Sequence, residues 1–358
     1  LLSVIPENEL WEIAPRIATL GDWKNVMLNA AQTAEQKASN LIAAYYYRSA
    51  EFFMHSQDPD KILAYDKFID LFYQCPECSS YQRQQVPFDG SQLPAIIIPA
   101  NGVEKDIILF HGGFDSVMEE FIESAQYFAE SGYRVVLFEG PGQGAALRKS
   151  KLTMKPEWER PVQAVLDHFQ IESCTILGIS LGGYLAPRAA AFEPRICRVI
   201  VSDVLDDFFD CYAARIGETM ATKLRQLLDS QQRAIVNDSI AHLATGKPEM
   251  EWSIAHGMDV CGGQDAFDFL RWLQSMNTAS FSSRITQDFL LLAGANDHIV
   301  PLHQFYRQAQ NLSNVRSLTG RIFTAQEQAG NHCQVGNLAL ALGFILAWLD
   351  FQITSKTS

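Results

Sequence analysis

The sequence predicts an α/β fold: a mostly parallel sheet flanked by helices, with a helical region ahead of it and a helical insertion within it. Three observations carry that reading. From Gln85 onward, short apolar runs alternate with helical stretches, the rhythm of βα units around a parallel sheet. The runs at 95–98, 107–110, 135–138, 175–177, 199–201 and 289–292 lack polar alternation, as expected of strands covered on both faces. Two long stretches, 1–84 and 206–284, show no strand rhythm at all.

Residues 1–84 read as an N-terminal helical cap region. Leu41, Ala44, Tyr45, Arg48 and Phe52, then Ile62, Tyr65, Phe68, Ile69 and Phe72, recur near helical spacing, and Asp58-Pro59 marks a turn between two helices. Residues 85–205 form the first part of the core. The helix after its second run is expected to start on a capping box of Ser116 and Glu119 and to stop before Gly132. Residues 206–284 read as a helical lid insertion with amphipathic stripes at Leu224, Leu227, Leu228 and Ile235, then Phe267, Leu270, Trp272 and Leu273. Residues 285–358 complete the core. The most apolar stretch, 338–349, is too short to span a bilayer and reads as a buried helix, so no membrane partner is expected. Both helical regions need a surface on which to bury their apolar residues. They are expected to close over the carboxyl edge of the sheet and enclose an apolar cavity.

At 358 residues, 47% of them apolar, the chain can bury a large core, and only 19% charged residues argues against disorder. A net charge of −13 with no basic stripe excludes a nucleic-acid partner. Seven scattered cysteines do not form a disulfide framework, and Cys75-Pro-Glu-Cys78 lacks the second pair that zinc requires. A reduced, cytoplasmic compartment follows as the expectation. Pro6, Glu7, Glu9 and Glu12 interrupt any leader-like run, and Leu1 in place of Met reads as a trimmed terminus. No metal or cofactor is expected: Gly140-Pro-Gly-Gln-Gly144 is rich in glycine, but Pro141 and a missing Lys exclude a phosphate loop.

The chemistry concentrates in three places. Gly178-Ile-Ser180-Leu-Gly182, after a buried apolar run and before Tyr184-Leu-Ala, has the pattern of a nucleophile elbow. Such a serine sits in a strained backbone conformation, and small neighbours let strand and helix approach each other. A serine nucleophile needs a base, and the base needs an orienting carboxylate. In the α/β-hydrolase fold that this elbow marks, the chain order is serine, acid, histidine, which selects Asp297 and His332. Asp203, at the end of an earlier run, is the alternative acid. His298 and His303 are rival bases, but lie too close in the chain to Asp297. His111-Gly112-Gly113-Phe114 ends another run and supplies the oxyanion hole: the Phe114 N–H, or that of Gly113, joins the N–H of Leu181.

These motifs resemble a particular branch of the superfamily. The residues are His-Gly-Gly-Phe-Asp115-Ser-Val-Met-Glu-Glu, Phe-Glu139-Gly-Pro-Gly142-Gln143-Gly144 and Gly-Ile-Ser-Leu-Gly-Gly-Tyr-Leu-Ala-Pro-Arg188. They are similar to those of the helical-capped hydrolases of 1,3-diketones, among them 2,6-dihydroxypseudooxynicotine hydrolase and the yellowish-green polyketide chain-shortening hydrolases. The resemblance implies cleavage of a C–C bond flanked by two carbonyls in an aromatic or polyketide substrate, with or without ring closure afterwards. It also draws attention to Glu139, because the pyridine-pathway relative carries an acid at the matching position. Protonation of the leaving enolate, binding of a substrate hydroxyl and anchoring of the glycine-rich loop are all open to it.

His256 and Tyr184 are further candidates for contact with substrate, although both read more simply as structural. Trp252 and the group Tyr45, Tyr46, Tyr47, Phe52 and Phe53 read mainly as core. The expected partner is a small hydrophobic substrate, free or carried on an acyl carrier protein, and a homodimer is compatible with the sequence. A carboxylesterase or thioesterase using the same triad is the alternative function, and a non-catalytic ligand-binding protein on a hydrolase core the third.

Overall fold

Eight strands form one sheet in the computed structural model, which describes residues 4–354. They are β1 (Arg83–Phe88), β2 (Ser91–Ile98), β3 (Asp106–His111), β4 (Tyr133–Phe138), β5 (Cys174–Ile179), β6 (Ile196–Ser202), β7 (Asp288–Gly294) and β8 (Ser317–Phe323). Their order across the sheet is β1-β2-β4-β3-β5-β6-β7-β8. The pairs β1–β2 and β2–β4 are antiparallel, and from β4 to β8 every pair is parallel. Each apolar run read from the sequence lies inside a strand, and β7 is buried along its whole length.

Strand β1 escapes the sequence reading. Only Val86 among its residues is buried, so it shows no apolar run, and Pro87 suits its place at the edge of the sheet. Asp89 and Gly90, at φ 47° and 75°, form the left-handed pair of a two-residue hairpin that joins β1 to β2.

The start of the helix after β3 also differs from expectation. A 3-10 turn, Met118–Phe121, leads into the helix Ile122–Glu130. Ser116 does not cap it, because its Oγ accepts from the Gly113 N–H at 2.8 Å and Glu119 pairs with Arg83 at 2.7 Å. Gly132 does follow the helix, at φ 91°. The apolar C-terminal stretch forms the helix Leu338–Thr354. Ala341, Ile345, Trp348 and Leu349 are buried, whereas Leu338 and Phe351 are exposed, so one face is covered rather than all of it. Among the described residues, no single helix is long and apolar enough to cross a membrane.

The chain divides into two units. One contains the described residues up to Gln82, Ala234–Asp259 and Gly263–Ala266; the other contains Arg83–Arg233, Val260–Gly262 and the chain from Phe267 onward. The stretch 206–284 is therefore shared between them. The first unit is helical. Thr19 and Asp22 form a reciprocal cap on the helix Leu20–Gln36, with Asp22 N donating to Thr19 Oγ1 at 3.1 Å and Thr19 N donating to Asp22 Oδ2 at 3.0 Å. Asp58 and Pro59 open the helix Pro59–Gln74, and Tyr45, Tyr46, Tyr65, Phe68 and Phe72 fill the core. The second unit carries the sheet, and each candidate triad residue lies in it.

Candidate active site

Residue 180 is held in the left-handed region, at φ 59°, between β5 and the helix Gly182–Ala190. That conformation is costly for a side chain other than glycine and persists only where the surroundings enforce it. Here the Ser180 N–H donates to Ser202 O at 2.7 Å, and the absence of side chains lets the turn close. A Cβ built on Gly178 would come within 2.3 Å of Gly182 O, and one on Gly183 within 2.0 Å of Asp203 O. At Gly182 the nearest atom would be 3.2 Å away. The tightest approach is thus at Gly183, one residue past the glycine that the motif emphasises.

His332 lies between Ser180 and Asp297. Its Nε2 is 2.9 Å from Ser180 Oγ, and its Nδ1 is 2.8 Å from Asp297 Oδ2. An ionised carboxylate can only accept, so Nδ1 carries a proton, and whenever the ring is neutral its Nε2 accepts from the serine hydroxyl. Asp297 also accepts from the N–H groups of Ile299 and Val300 through Oδ1, at 2.7 and 2.9 Å. Burial pushes its carboxyl up, but these donors and His332 outweigh that and hold it below the usual range. Burial likewise opposes a charged His332, yet the carboxylates of Asp203 and Asp297 hold its proton well above the ordinary histidine range. The rival histidines are accounted for elsewhere. His298 is exposed, with its ring 6.3 Å from that of His332, and His303 bonds Asp210 at 2.6 Å.

The loop after β3 passes close to the elbow. A Cβ on Gly113 would lie 2.5 Å from Leu181 N and 2.8 Å from Ile179 O, so only glycine fits. The N–H of Gly113 is occupied by Ser116 Oγ, which removes it as the alternative oxyanion donor and favours Phe114 beside Leu181. Leu181 precedes the elbow helix, where the first amides have no acceptor within the helix. Residues 140–148 fix this loop through two side chains, Gln143 and Arg148. Gln143 Nε2 donates to Gly112 O at 3.0 Å and Gly113 O at 2.9 Å while its Oε1 accepts from Gly140 N, and Arg148 forms a buried bidentate pair with Asp115. Sequence reasoning missed Gln143. Its signal was its place in the glycine-rich run, where the side chain must turn back on its own loop.

The other candidates are placed differently. Glu139 is fully buried, and both carboxylate oxygens meet backbone amides: Oε1 accepts from Met118 N at 3.2 Å and Oε2 from Ala145 N at 2.7 Å. A Cβ at Gly144 would strike this carboxylate at 2.1 Å. Burial raises its carboxyl to about 7, opposed by Arg83 and reinforced by Glu119. Of the roles open to Glu139, these contacts favour loop anchor. Tyr184 is buried, its ring edge-on to Phe281, and His256 stacks on Trp252 at 4.9 Å near Phe52 in the helical unit. Asp203, His332 and Cys333 bring three potential ligand atoms within 4.8 Å of one another. Both ring nitrogens of His332 are already engaged in hydrogen bonds, so the cluster reads as a hydrogen-bonded network.

Comparison with known proteins agrees with this geometry. Residues 106–327 match the alpha/beta hydrolase fold model, and the chain belongs to that family. Its relatives include hydrolase acrC of Aspergillus aculeatus, 26% identical over 92% of this chain and 84% of the relative. They also include the 20-hydroxy-prefusarin hydrolase FUS2 of Gibberella moniliformis, 28% identical over 93% of this chain and 87% of the relative. Among solved structures, 2,6-dihydroxy-pseudo-oxynicotine hydrolase superposes with a TM-score of 0.72 at 20% identity, covering 97% of this chain and 93% of the other. AbyA5 gives 0.72 at 17% identity, covering 98% and 90%. At such identities these two superpositions speak to the fold. Family and relatives together make the protein a hydrolase.

Proposed function

We propose that this protein is a serine hydrolase that cleaves the C–C bond between the carbonyls of an aromatic or polyketide 1,3-diketone, through an acyl-enzyme on Ser180. The hydrogen-bonded chain Ser180–His332–Asp297 carries the serine mechanism. The choice of a C–C bond rests on the motifs shared with the 1,3-diketone hydrolases, and the hydrolase of 20-hydroxy-prefusarin among the relatives supports a polyketide substrate.

The steps follow from the geometry. Ser180 Oγ attacks one carbonyl carbon as His332 Nε2 takes its proton. The new oxyanion lies against the amides of Leu181 and Phe114. Collapse restores the carbonyl and breaks the bond to the central carbon, whose electron pair delocalises onto the second carbonyl as an enolate. The His332 imidazolium returns its proton to that carbon, giving a ketone. Glu139 is held by backbone amides, so His332 is the acid that this site supplies. Water, deprotonated by His332, then attacks the acyl-enzyme and releases a carboxylic acid. The sum is one diketone and one water giving one acid and one ketone.

Turnover of a synthetic aryl 1,3-diketone with two methyl groups on its central carbon, in ¹⁸O-labelled D₂O, tests this reading. One solvent deuterium on the carbon that left, with one ¹⁸O in the acid, is the expected outcome. No cleavage of any diketone in a panel, alongside rapid turnover of matched esters or thioesters, would move the assignment to an esterase.

A further inference from the structure

We propose that Asp203 is a positioning residue: a second carboxylate that reaches the same ring nitrogen of His332 as Asp297 and clamps the turn that presents the ring. The inference rests on the reading of His332 as the general base and adds a residue to that machinery.

The geometry is specific. Asp203 Oδ2 lies 3.2 Å from His332 Nδ1, so two carboxylates converge on one ring nitrogen. The same oxygen accepts from the N–H of Cys333, and Oδ1 accepts from Gln334 Nε2 at 2.6 Å. Gln334 is itself fixed, since its Oε1 accepts from Ser202 Oγ at 2.7 Å. Cys333 and Gln334 both stand in the left-handed region, at φ 53° and 54°. Two such residues in succession are unfavourable without outside support, and Asp203 bonds both of them. Its own backbone is set against the elbow, where a Cβ on Gly183 would strike Asp203 O. One residue thus connects the end of β6, the turn carrying the base and the helix behind the nucleophile.

The charge state follows from the partners. The named partners of Asp203 are Cys333 N–H, Gln334 Nε2–H and His332 Nδ1–H, each a donor, which selects the ionised form. Burial raises the Asp203 carboxyl, and the nearby charge of Asp297 acts in the same direction. The compensating positive charge is the imidazolium. The titratable or reacting groups around His332 are Asp203 after β6, Asp297 and the exposed His298 after β7, Cys333 in its own turn and Ser180 on the elbow. Only the two aspartates bring negative charge at neutral pH, since burial raises the Cys333 thiol. A base held by two carboxylates forms its imidazolium readily and keeps it through C–C cleavage, which suits a step in which that proton must reach carbon.

The test is the titration of His332 itself, followed by NMR of the ring-labelled full-length protein, beside the pH profile of kcat/KM. Asp203→Asn should lower the pH at which His332 titrates by about one to three units, the range expected when an opposite charge at this distance is lost. The acid limb of kcat/KM should move down with it, and Asp203→Glu should restore part of the shift. Gln334→Leu removes a donor from Asp203 but leaves its charge, so it should move the titration upward. It carries the test alone if Asp203→Asn does not fold. An unchanged titration in a folded Asp203→Asn, or a fall in Gln334→Leu, overturns the proposal. A titration that moves while the activity limb stays fixed would leave Asp203 as assigned but remove His332 as the base.

Discussion

His332 Nε2 and Ser180 Oγ stand 2.9 Å apart although 152 residues separate them in the chain. The distance is that of a hydrogen bond poised for proton transfer, as the proposed nucleophilic role of the serine requires. Ser180→Ala should therefore abolish turnover, with a fall in kcat on the order of 10⁶, the scale set by loss of a triad serine. The fold should survive, because the change removes one oxygen and leaves the left-handed backbone to be held by its neighbours. Steady-state kinetics and circular dichroism read both parts. A loss below about tenfold would place the nucleophile elsewhere.

Asp297 should outweigh Asp203. Its Oδ2 lies at 2.8 Å from Nδ1, against 3.2 Å for Asp203 Oδ2. Asp297→Asn removes the nearer acceptor but leaves the farther one. The loss should thus be severe yet smaller than the ~10⁴ seen where a triad has a single acid. The double variant Asp203→Asn, Asp297→Asn should reach that larger value, exceeding the sum of its parts in free energy. Greater damage from Asp203→Asn alone would exchange the two roles.

The pH profile has a fixed sign. His332 acts as a base only when neutral, and its environment holds the proton well above the ordinary histidine range. Activity should be low at pH 6.5, where the ring is charged, and should rise as pH climbs through the raised value. An acid limb in kcat/KM centred at or below pH 6.5 would contradict this.

Gly113→Ala should inactivate the enzyme even though the residue performs no chemistry. The added Cβ would lie 2.5 Å from Leu181 N and 2.8 Å from Ile179 O, both backbone atoms that cannot swing aside. Either the loop withdraws, and the Leu181 amide loses its place opposite the oxyanion, or the elbow itself deforms. One lost oxyanion donor costs roughly 10²–10³ in kcat. Retention of activity within about threefold would mean that the loop does not form the oxyanion hole, since even one donor is worth far more than that.

Much of this arrangement was legible in the sequence because the core strands are buried on both faces. A strand covered on both faces is mainly apolar along its middle, and so β2 to β7 announced themselves as runs, although Thr175, Arg198 and Asp288 are buried at their starts. The order serine, acid, histidine selected Ser180, Asp297 and His332, and the structure brings those three side chains together. The edge strand β1 was missed because a single buried residue, Val86, leaves no run to see. Ser116 was misread as a helix cap because the same hydroxyl serves equally well as an acceptor within its own loop, where it meets Gly113 N–H. Asp203 was weighed only as a rival to Asp297, since a sequence cannot show that two distant carboxylates reach one nitrogen. Gln334 went unnoticed because it bonds a carboxylate and a hydroxyl more than 130 residues away in the chain, of which glutamine carries no signature, whereas Gln143 had only its place in the glycine-rich run as a signal.

A covalent intermediate on Ser180 is what separates this mechanism from direct attack by water. A slowly hydrolysed aryl 1,3-diketone would be mixed with the enzyme, quenched in acid within milliseconds and analysed by intact-protein and peptide mass spectrometry. A mass increase equal to the acyl half of the diketone is expected, confined to the peptide containing Ser180 and missing in Ser180→Ala. Released ketone should accumulate in a burst that precedes the free acid. Cleavage of the diketone with no acyl adduct under any quench time, or with the adduct on another residue, would contradict it.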